Sequence, residues 1–197
     1  AGLVLYGLLF LFRWSPSLSF IPAGMVLLAL LLFAYYCKQT YNERIRKKVD
    51  DQMKTSLLAV ALLLLPTLVL LALIGVLLTT SGAQTNVVLL YGFTIFFGWL
   101  TAIILGMTFK TLPFIVWNKV YRHRASMGKM PSPKDLFSEP VYQAMALAYL
   151  LGFVLFGCGI LFSSKILLSA GSIALLATAV LYNWNVMQLV IHKPFRK

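Results

Sequence analysis

Few residues of this sequence carry side chains able to do chemistry at membrane depth, and Lys110 is the first of them. It is the only charged residue inside any of the long apolar segments. An ammonium group is costly to place in hydrocarbon, so a lysine there is a candidate for binding an anion or a buried polar partner. Asn183 and Asn185, in the last apolar segment, are the candidate partners.

The position of Lys110 along its segment favours a simpler role. The segment begins at Val87, so at a rise of 1.5 Å per residue Lys110 lies about 35 Å along a helix. The hydrocarbon core of a bilayer is only about 30 Å thick. The ammonium group can therefore reach the headgroups by snorkelling. We favour this anchoring role, and pairing with Asn183 or Asn185 stays open.

Other carriers of catalytic chemistry are missing from the apolar segments. All five acidic residues lie between those segments: Glu43, Asp50, Asp51, Asp135 and Glu139. A carboxylate relay for protons or cations is therefore not expected. His123 and His192 stand beside basic residues and are expected to be solvated, and Cys37 and Cys158 are isolated small hydrophobes. We predict no catalytic residue and no metal ligand in these residues.

Composition places the chain in the class of integral membrane proteins. Hydrophobic residues make up 60%, charged residues 11%, and the mean hydropathy is +0.88. A soluble domain would expose too much of that surface. Since a spanning helix needs about 20 apolar residues, we predict an all-α, polytopic transmembrane helix bundle. This single domain, residues 1–197, has a partial helix at 1–12 and full spans at 20–37, 57–78, 87–110, 141–162 and 166–190.

The basic residues are distributed unevenly around these spans. Of seventeen Lys and Arg residues, fourteen fall in the segments 38–54 and 118–140 and in the C-terminal tail. The positive-inside rule then predicts that both loops and the C-terminus are cytoplasmic. Anionic lipid headgroups are the expected partners of such loops. The same distribution excludes nucleic acid as the expected partner, because a basic nucleic-acid domain does not divide its charge between apolar spans.

The two cytoplasmic loops differ in kind. Apolar residues at steps of four, from Tyr41 to Met53, predict that loop 38–54 continues as helix, either as a plain extension or as a docking surface. Loop 118–140 contains Gly128 and several prolines, which predict an irregular connection. Within the span 57–78, Pro66 is expected to bend the helix.

Small residues recur every four positions on two consecutive spans. They form two stripes, Thr94, Gly98, Ala102 and Gly106 on one span and Ala144, Ala148 and Gly152 on the next. Such stripes let helix backbones approach closely in lipid. We therefore expect both to be packing faces and the two helices to pack on each other.

The segment YGFTIFFGWLTAIILGMTFKTLPFIVW, residues 91–117, carries a resemblance to a known family. The segment resembles the pattern H-x-H-x-G-x-x-G-W, which is followed by a glycine, an aromatic residue and L-P. The matching residues are Gly98-Trp99, then Gly106, the aromatic Phe109 and Leu112-Pro113. That pattern belongs to subunit I of haem-copper oxidases and nitric oxide reductases, closest to the C-family oxidases. The stretches RIRKKVDDQMKTSLLAVALLLLP and GMTFKTLPFIVWNKVY are also similar to subunit-I-like proteins. The resemblance implies the C-terminal half of such a subunit, in a prokaryotic inner membrane.

The residues at the family's haem-ligand positions do not match. The two histidines would fall at Tyr91 and Phe93, and a phenyl ring cannot ligate iron. The resemblance therefore implies a structural or accessory component of a larger respiratory complex, partnered by other membrane subunits or a missing N-terminal half. It implies no cofactor held by these residues, and haem only if its ligands come from outside the chain. Two alternatives stay open. One is a haem-dependent oxidoreductase or sensor whose haem ligands come from missing sequence or a partner chain, and the other is a small-solute transporter that uses Lys110.

Overall fold

Helices make up nearly all of the fold that is described. The computed structural model describes residues 2–12, 18, 20–43, 51–79, 85–121 and 132–192, and these ranges contain no strand. The elements are α1 (Gly2–Leu11), α2 (Phe20–Asn42), α3 (Asp51–Leu62), α4 (Leu64–Thr79), α5 (Thr85–Phe93), a π-helix (Thr94–Leu100), α6 (Thr101–Tyr121), a 3-10 helix (Pro133–Leu136), α7 (Glu139–Leu161) and α8 (Lys165–Val190).

Five helical stretches of the described chain are long and apolar enough to cross a membrane. They are Phe20–Asn42, Leu57–Val76, Thr85–Tyr121, Glu139–Leu161 and Lys165–Val190. Helix α1 has ten residues and is about 15 Å long, half of a bilayer core. The predicted class, an all-α bundle of five spans and a shorter N-terminal helix, is confirmed.

The third span is much longer than predicted. It runs as one helical stretch of 37 residues, from Thr85 to Tyr121, and therefore past Lys110 and Pro113. A proline is tolerated inside a membrane helix because neighbouring helices hold the chain in place. Residues 118–121, predicted as the start of an irregular loop, are helical, and the rest of that loop is described only from Ser132. The first loop, 38–54, is helical at both ends, since α2 continues to Asn42 and α3 begins at Asp51. Residues 44–50 lie outside the described residues.

The second span is interrupted where its proline predicts a distortion. Helix α3 ends at Leu62 and α4 begins at Leu64. Pro66 has no N–H to donate to the carbonyl of Leu62, four residues earlier, and its ring crowds that carbonyl. The chain therefore turns at Leu63 between two helices that together span the membrane.

The interior of the bundle is formed by α3, α6, α7 and α8. Helices α7 and α8 are the most extensively packed pair, α6 packs along α3, and α5 packs against α7. The largest buried cluster is made of Ala59, Ala102, Leu105, Phe109, Tyr121, Leu136, Phe137, Tyr142, Met145, Tyr149 and Leu189. Two members of the cluster are close in sequence to the candidate site residues: Phe109 precedes Lys110 on α6, and Leu189 follows Asn185 by four residues on α8.

Glycines bring α7 and α8 into backbone contact. A Cβ atom added at Gly171 would lie 2.6 Å from the backbone nitrogen of Phe156, and one at Gly159 would lie 2.8 Å from that of Leu168. At Gly152 the added atom would meet Leu175 at 2.9 Å. Only glycine fits such separations, because any β-carbon would overlap the neighbouring main chain.

The two predicted stripes behave differently. Thr94, Gly98, Ala102 and Gly106 are all buried, so the stripe on the long helix is a packing face. On α7, Gly152 is buried, Ala148 is half-buried and Ala144 is exposed. The expected packing of the two helices on each other is present, since α5 and the π-helix (Thr94–Leu100) both contact α7, but Gly152 faces α8 and not the stripe on the long helix. Gly98 instead faces the ring of Phe153 on α7, 3.2 Å from where its Cβ would be.

Candidate functional site

The long helix widens into a π-helix at Thr94–Leu100. A π turn bonds residue i to i+5, which shifts carbonyl groups out of the α-helical register, and such turns are frequent at functional sites. The buried Tyr149 hydroxyl of α7 donates to the carbonyl oxygens of Phe97, at 2.7 Å, and Gly98, at 2.8 Å. The Thr101 hydroxyl donates to the Phe96 carbonyl at 2.7 Å. Side-chain hydroxyls thus satisfy the widened turn and tie it to α7.

Phenyl rings surround the position that precedes the π-helix. Phe93 is buried and stacks on Phe97, Phe153 and Phe156, with ring centroids 5.2, 5.4 and 5.0 Å apart. Offset-stacked rings at these distances are favourable beyond the apolar area that they bury. Tyr91 is half-buried, and its carbonyl accepts a hydrogen bond from the Thr94 hydroxyl at 2.9 Å. The two positions that the resemblance assigns to haem ligands therefore belong to a packed aromatic cluster and a helix backbone.

These residues do not fit a haem. Phe93 has no donor atom, and three other phenyl rings occupy the space around its ring. Among the described residues, no three His, Cys, Asp or Glu side chains come together in a group that could hold a metal ion. We therefore derive no chemical step through a haem or a metal at this place.

The Tyr149 hydroxyl leads to a first prediction. Tyr149→Phe should lower the free energy of unfolding by about 1–2 kcal/mol, because the carbonyls of Phe97 and Gly98 lose their shared donor. Denaturation by SDS in mixed micelles, followed by the tryptophan fluorescence of the chain, measures the loss.

The matched control is Tyr182→Phe. The Tyr182 hydroxyl is bonded to Thr108 Oγ1 at 3.3 Å, a longer and weaker hydrogen bond than those of Tyr149. Tyr182→Phe should change the stability by less than about 0.5 kcal/mol. If both variants lose the same stability, Tyr149 has no special role in holding the π-helix.

Lys110 lies at the wall of a small cavity. Its side chain is exposed and lines a space of about 350 Å³ together with Lys134, Phe137 and five other residues. The segment after α6 therefore folds back to the level of Lys110, since Ser132 and Pro133 line the same cavity. The choice between anchoring at the headgroups and internal pairing stays a prediction.

The two candidate partners of Lys110 have different surroundings. Asn185 is fully buried, and its side-chain amide accepts a hydrogen bond from Ser138 N and donates one to Ser138 O, both at 3.0 Å. Asn183 is exposed, and its Nδ2 donates to the carbonyl of Ala179 in its own helix at 2.8 Å. Asn185 therefore holds the start of α7, and Asn183 lies on an outer face of α8.

His192 is not the solvated side chain that the sequence predicts. It is half-buried at the end of α8, and its Nε2 and the hydroxyl of the buried Tyr121 are hydrogen-bonded at 2.9 Å. The end of α6 is thereby joined to the end of α8. His123 lies outside the described residues.

Sequence reasoning missed the aromatic face of α7. Tyr142, Tyr149 and Phe156 recur at intervals of seven, with Met145 and Phe153 between them, and most of this row is buried. The interval of seven is the signal that marks one face of a packed helix. In an apolar span it is hidden, because the lipid-facing residues are hydrophobic as well.

The fold and the outward-facing side chains define the class of the protein. Large apolar residues are exposed along every long helix, for example Phe96 at 63% and Leu151 at 53%. Such a surface is stable only in lipid or against another membrane helix. The chain is an α-helical integral membrane protein. No family model matches it, and neither a curated protein nor a solved structure does.

Proposed function

We propose that the chain is a membrane component of the haem-copper oxidase subunit I type that holds no redox cofactor of its own. Its role is structural or accessory, within a larger and respiratory membrane complex. The observation that carries the proposal is the packing of Phe93. The position that resembles a haem-ligand site is occupied by a ring stacked on three others, so it contributes packing and no coordination.

The helix with the family-like spacing supports a structural role along its length. Gly98 is in close approach to Phe153, and Tyr149 satisfies the carbonyls of the π-helix. Ala102 is fully buried in the main core with Ala59 of α3. Each of these residues serves helix association, which in lipid depends on close packing and interhelical hydrogen bonds.

The outer helices leave room for partner subunits. Only 11% of the 18-residue apolar segment of α2 is buried inside the bundle, and the buried share of the corresponding segment of α8 is the same. Each helix therefore presents a wide apolar face to lipid or to another membrane helix. The distribution of Lys and Arg supports a cytoplasmic C-terminus and loops near anionic headgroups, and the family resemblance implies a prokaryotic inner membrane.

Absorption spectra and native electrophoresis test this proposal together. The full chain, extracted from its own membranes in a mild detergent, should migrate in a complex larger than its 22.0 kDa. After separation from its partners, it should show no Soret band and no α-bands with or without dithionite.

Two outcomes contradict the proposal. A Soret band that stays with the separated chain identifies the haem-dependent alternative. Migration as a lone chain, under conditions that keep other membrane complexes of the same extract intact, rules out the accessory role.

A further inference from the structure

A second cavity lies at the end of the bundle where α5 and α8 begin. It has a volume of about 650 Å³ and lies between α5 and the π-helix on one side and the residues around the α7–α8 turn on the other. Ligand sites in proteins have volumes of about 300–1,000 Å³. The cavity is therefore large enough to hold one small molecule or part of a lipid.

The lining of this cavity changes from polar to apolar along the membrane normal. At its rim Asn86 donates a hydrogen bond to Ser163 Oγ at 2.8 Å, and Lys165 stands next to them at the start of α8. Phe96 and Phe97 form the deep wall. Phe96 is ten residues after Asn86, or about 15 Å along a helix, which is half of a hydrocarbon core. The polarity of the cavity thus matches one leaflet of a bilayer.

We propose that this cavity binds one anionic phospholipid. Its phosphate lies against the ammonium group of Lys165, and one acyl chain lies along Phe96 and Phe97. Lys165 is exposed, and among the described residues no side chain is bonded to it. A compact ammonium is a strong partner for a phosphate group. Phospholipid also has the required order of parts, a charged head at the interface and an apolar chain below it.

The cavity is open on the side that faces lipid. Leu89 and Phe96, two of its lining residues, are 57% and 63% exposed, so a chain can enter sideways from the bilayer. A single acyl chain with its headgroup fits this opening, with the phosphate at Lys165 and the chain against the phenyl rings. The inference goes beyond the structural role proposed above and applies to the chain whether or not it has partner subunits.

Native mass spectrometry of the detergent-purified chain tests the cavity. We expect one phosphatidylglycerol to stay bound, in preference to phosphatidylcholine with the same acyl chains. Gly92 lines the cavity, and a Cβ atom there would have no neighbour within 4 Å, so the leucine of Gly92→Leu can leave the backbone freely and take up cavity space. This variant should lose the bound lipid.

Gly75→Leu is the matched control for cavity filling. A Cβ atom at Gly75 also has no neighbour within 4 Å, and Gly75 lies on α4, outside the cavity lining. This variant should keep the lipid. Retention of phosphatidylglycerol by Gly92→Leu at the level of Gly75→Leu would overturn the proposal.

Lys165→Met tests the headgroup contact. Removing one lysine at a lipid surface should weaken phosphatidylglycerol binding about fivefold and leave phosphatidylcholine unchanged. The control Lys38→Met removes an exposed lysine near the C-terminal end of α2, outside the cavity lining. It should change the binding of neither lipid. Equal retention of the two lipids by the wild-type chain, or a preference that survives Lys165→Met, would show that Lys165 is only an interfacial anchor and would overturn the proposal.

Discussion

Gly171→Ala should destabilise the protein more than any other single change to a small residue. The added Cβ would lie 2.6 Å from the backbone nitrogen of Phe156 and 2.8 Å from its Cα. A flexible side chain could move away, but a helix backbone cannot, so α7 and α8 must separate along their length. Overpacking of this kind costs about 3 kcal/mol, the upper part of its usual range. The free energy of unfolding in SDS and detergent micelles measures it.

Gly157→Ala is the matched control on α7. The nearest atoms to a Cβ at Gly157 are side-chain atoms of Phe93 and Leu90, at 3.7 and 3.8 Å, which is ordinary contact. Alanine also favours helix over glycine by up to about 1 kcal/mol. Gly157→Ala should therefore be neutral or slightly stabilising. If Gly171→Ala and Gly157→Ala have equal stability, α7 and α8 do not make the close backbone contact described at Gly171.

A double variant separates a backbone clash from a side-chain clash. If the main chain of Phe156 is the obstacle, shortening its side chain gives no relief. Gly171→Ala combined with Phe156→Ala should therefore be no more stable than Gly171→Ala alone. A recovery of stability in the double variant would place the clash in the phenyl ring.

Asn185→Leu is the second substitution expected to have a large effect. Leucine has a similar volume but removes both hydrogen bonds to the backbone of Ser138. The Ser138 carbonyl keeps the Tyr142 N–H as a donor at 3.1 Å, whereas the Ser138 N–H loses its partner. An unpaired N–H in a partly buried position, together with the lost bonds, costs about 2–3 kcal/mol. Unfolding in SDS micelles measures this loss too.

Asn183→Leu provides the comparison two residues away on α8. Asn183 is exposed and bonded only within its own helix among the contacts described, so this change should alter the stability by less than about 0.5 kcal/mol. A loss in Asn183→Leu as large as that in Asn185→Leu would contradict the assignment of Asn185 as the side chain that holds the start of α7.

The number and place of the spans follow from the sequence because lipid imposes one simple requirement. Each segment must be apolar for about 20 residues and must satisfy its own backbone, so the length of an apolar run predicts a helix. The same reasoning located the interruption at Pro66 and the buried stripe from Thr94 to Gly106. It failed at Tyr121, because a helix can continue beyond the hydrocarbon wherever packing and hydrogen bonds support it.

The residue types at the candidate site were also evident without a structure. Phe93 cannot bind iron in any fold. The sequence alone therefore predicts that this position does not ligate a haem, although the residues around it resemble a haem-binding segment. The role of Phe93 in packing was not evident. It depends on Phe153 and Phe156, whose rings come from another helix.

The choice of partner for each helix face was decided only by the tertiary structure. The sequence determined which residues are small, polar or apolar, and hence which segments enter the membrane. It did not determine that Gly152 faces α8, or that Asn185 bonds to Ser138, 47 residues earlier. Transfer into lipid is equally favourable for every apolar face of a helix. Partner choice depends instead on how the shapes and hydrogen-bonding groups of distant segments fit together, and that fit exists only in the assembled bundle.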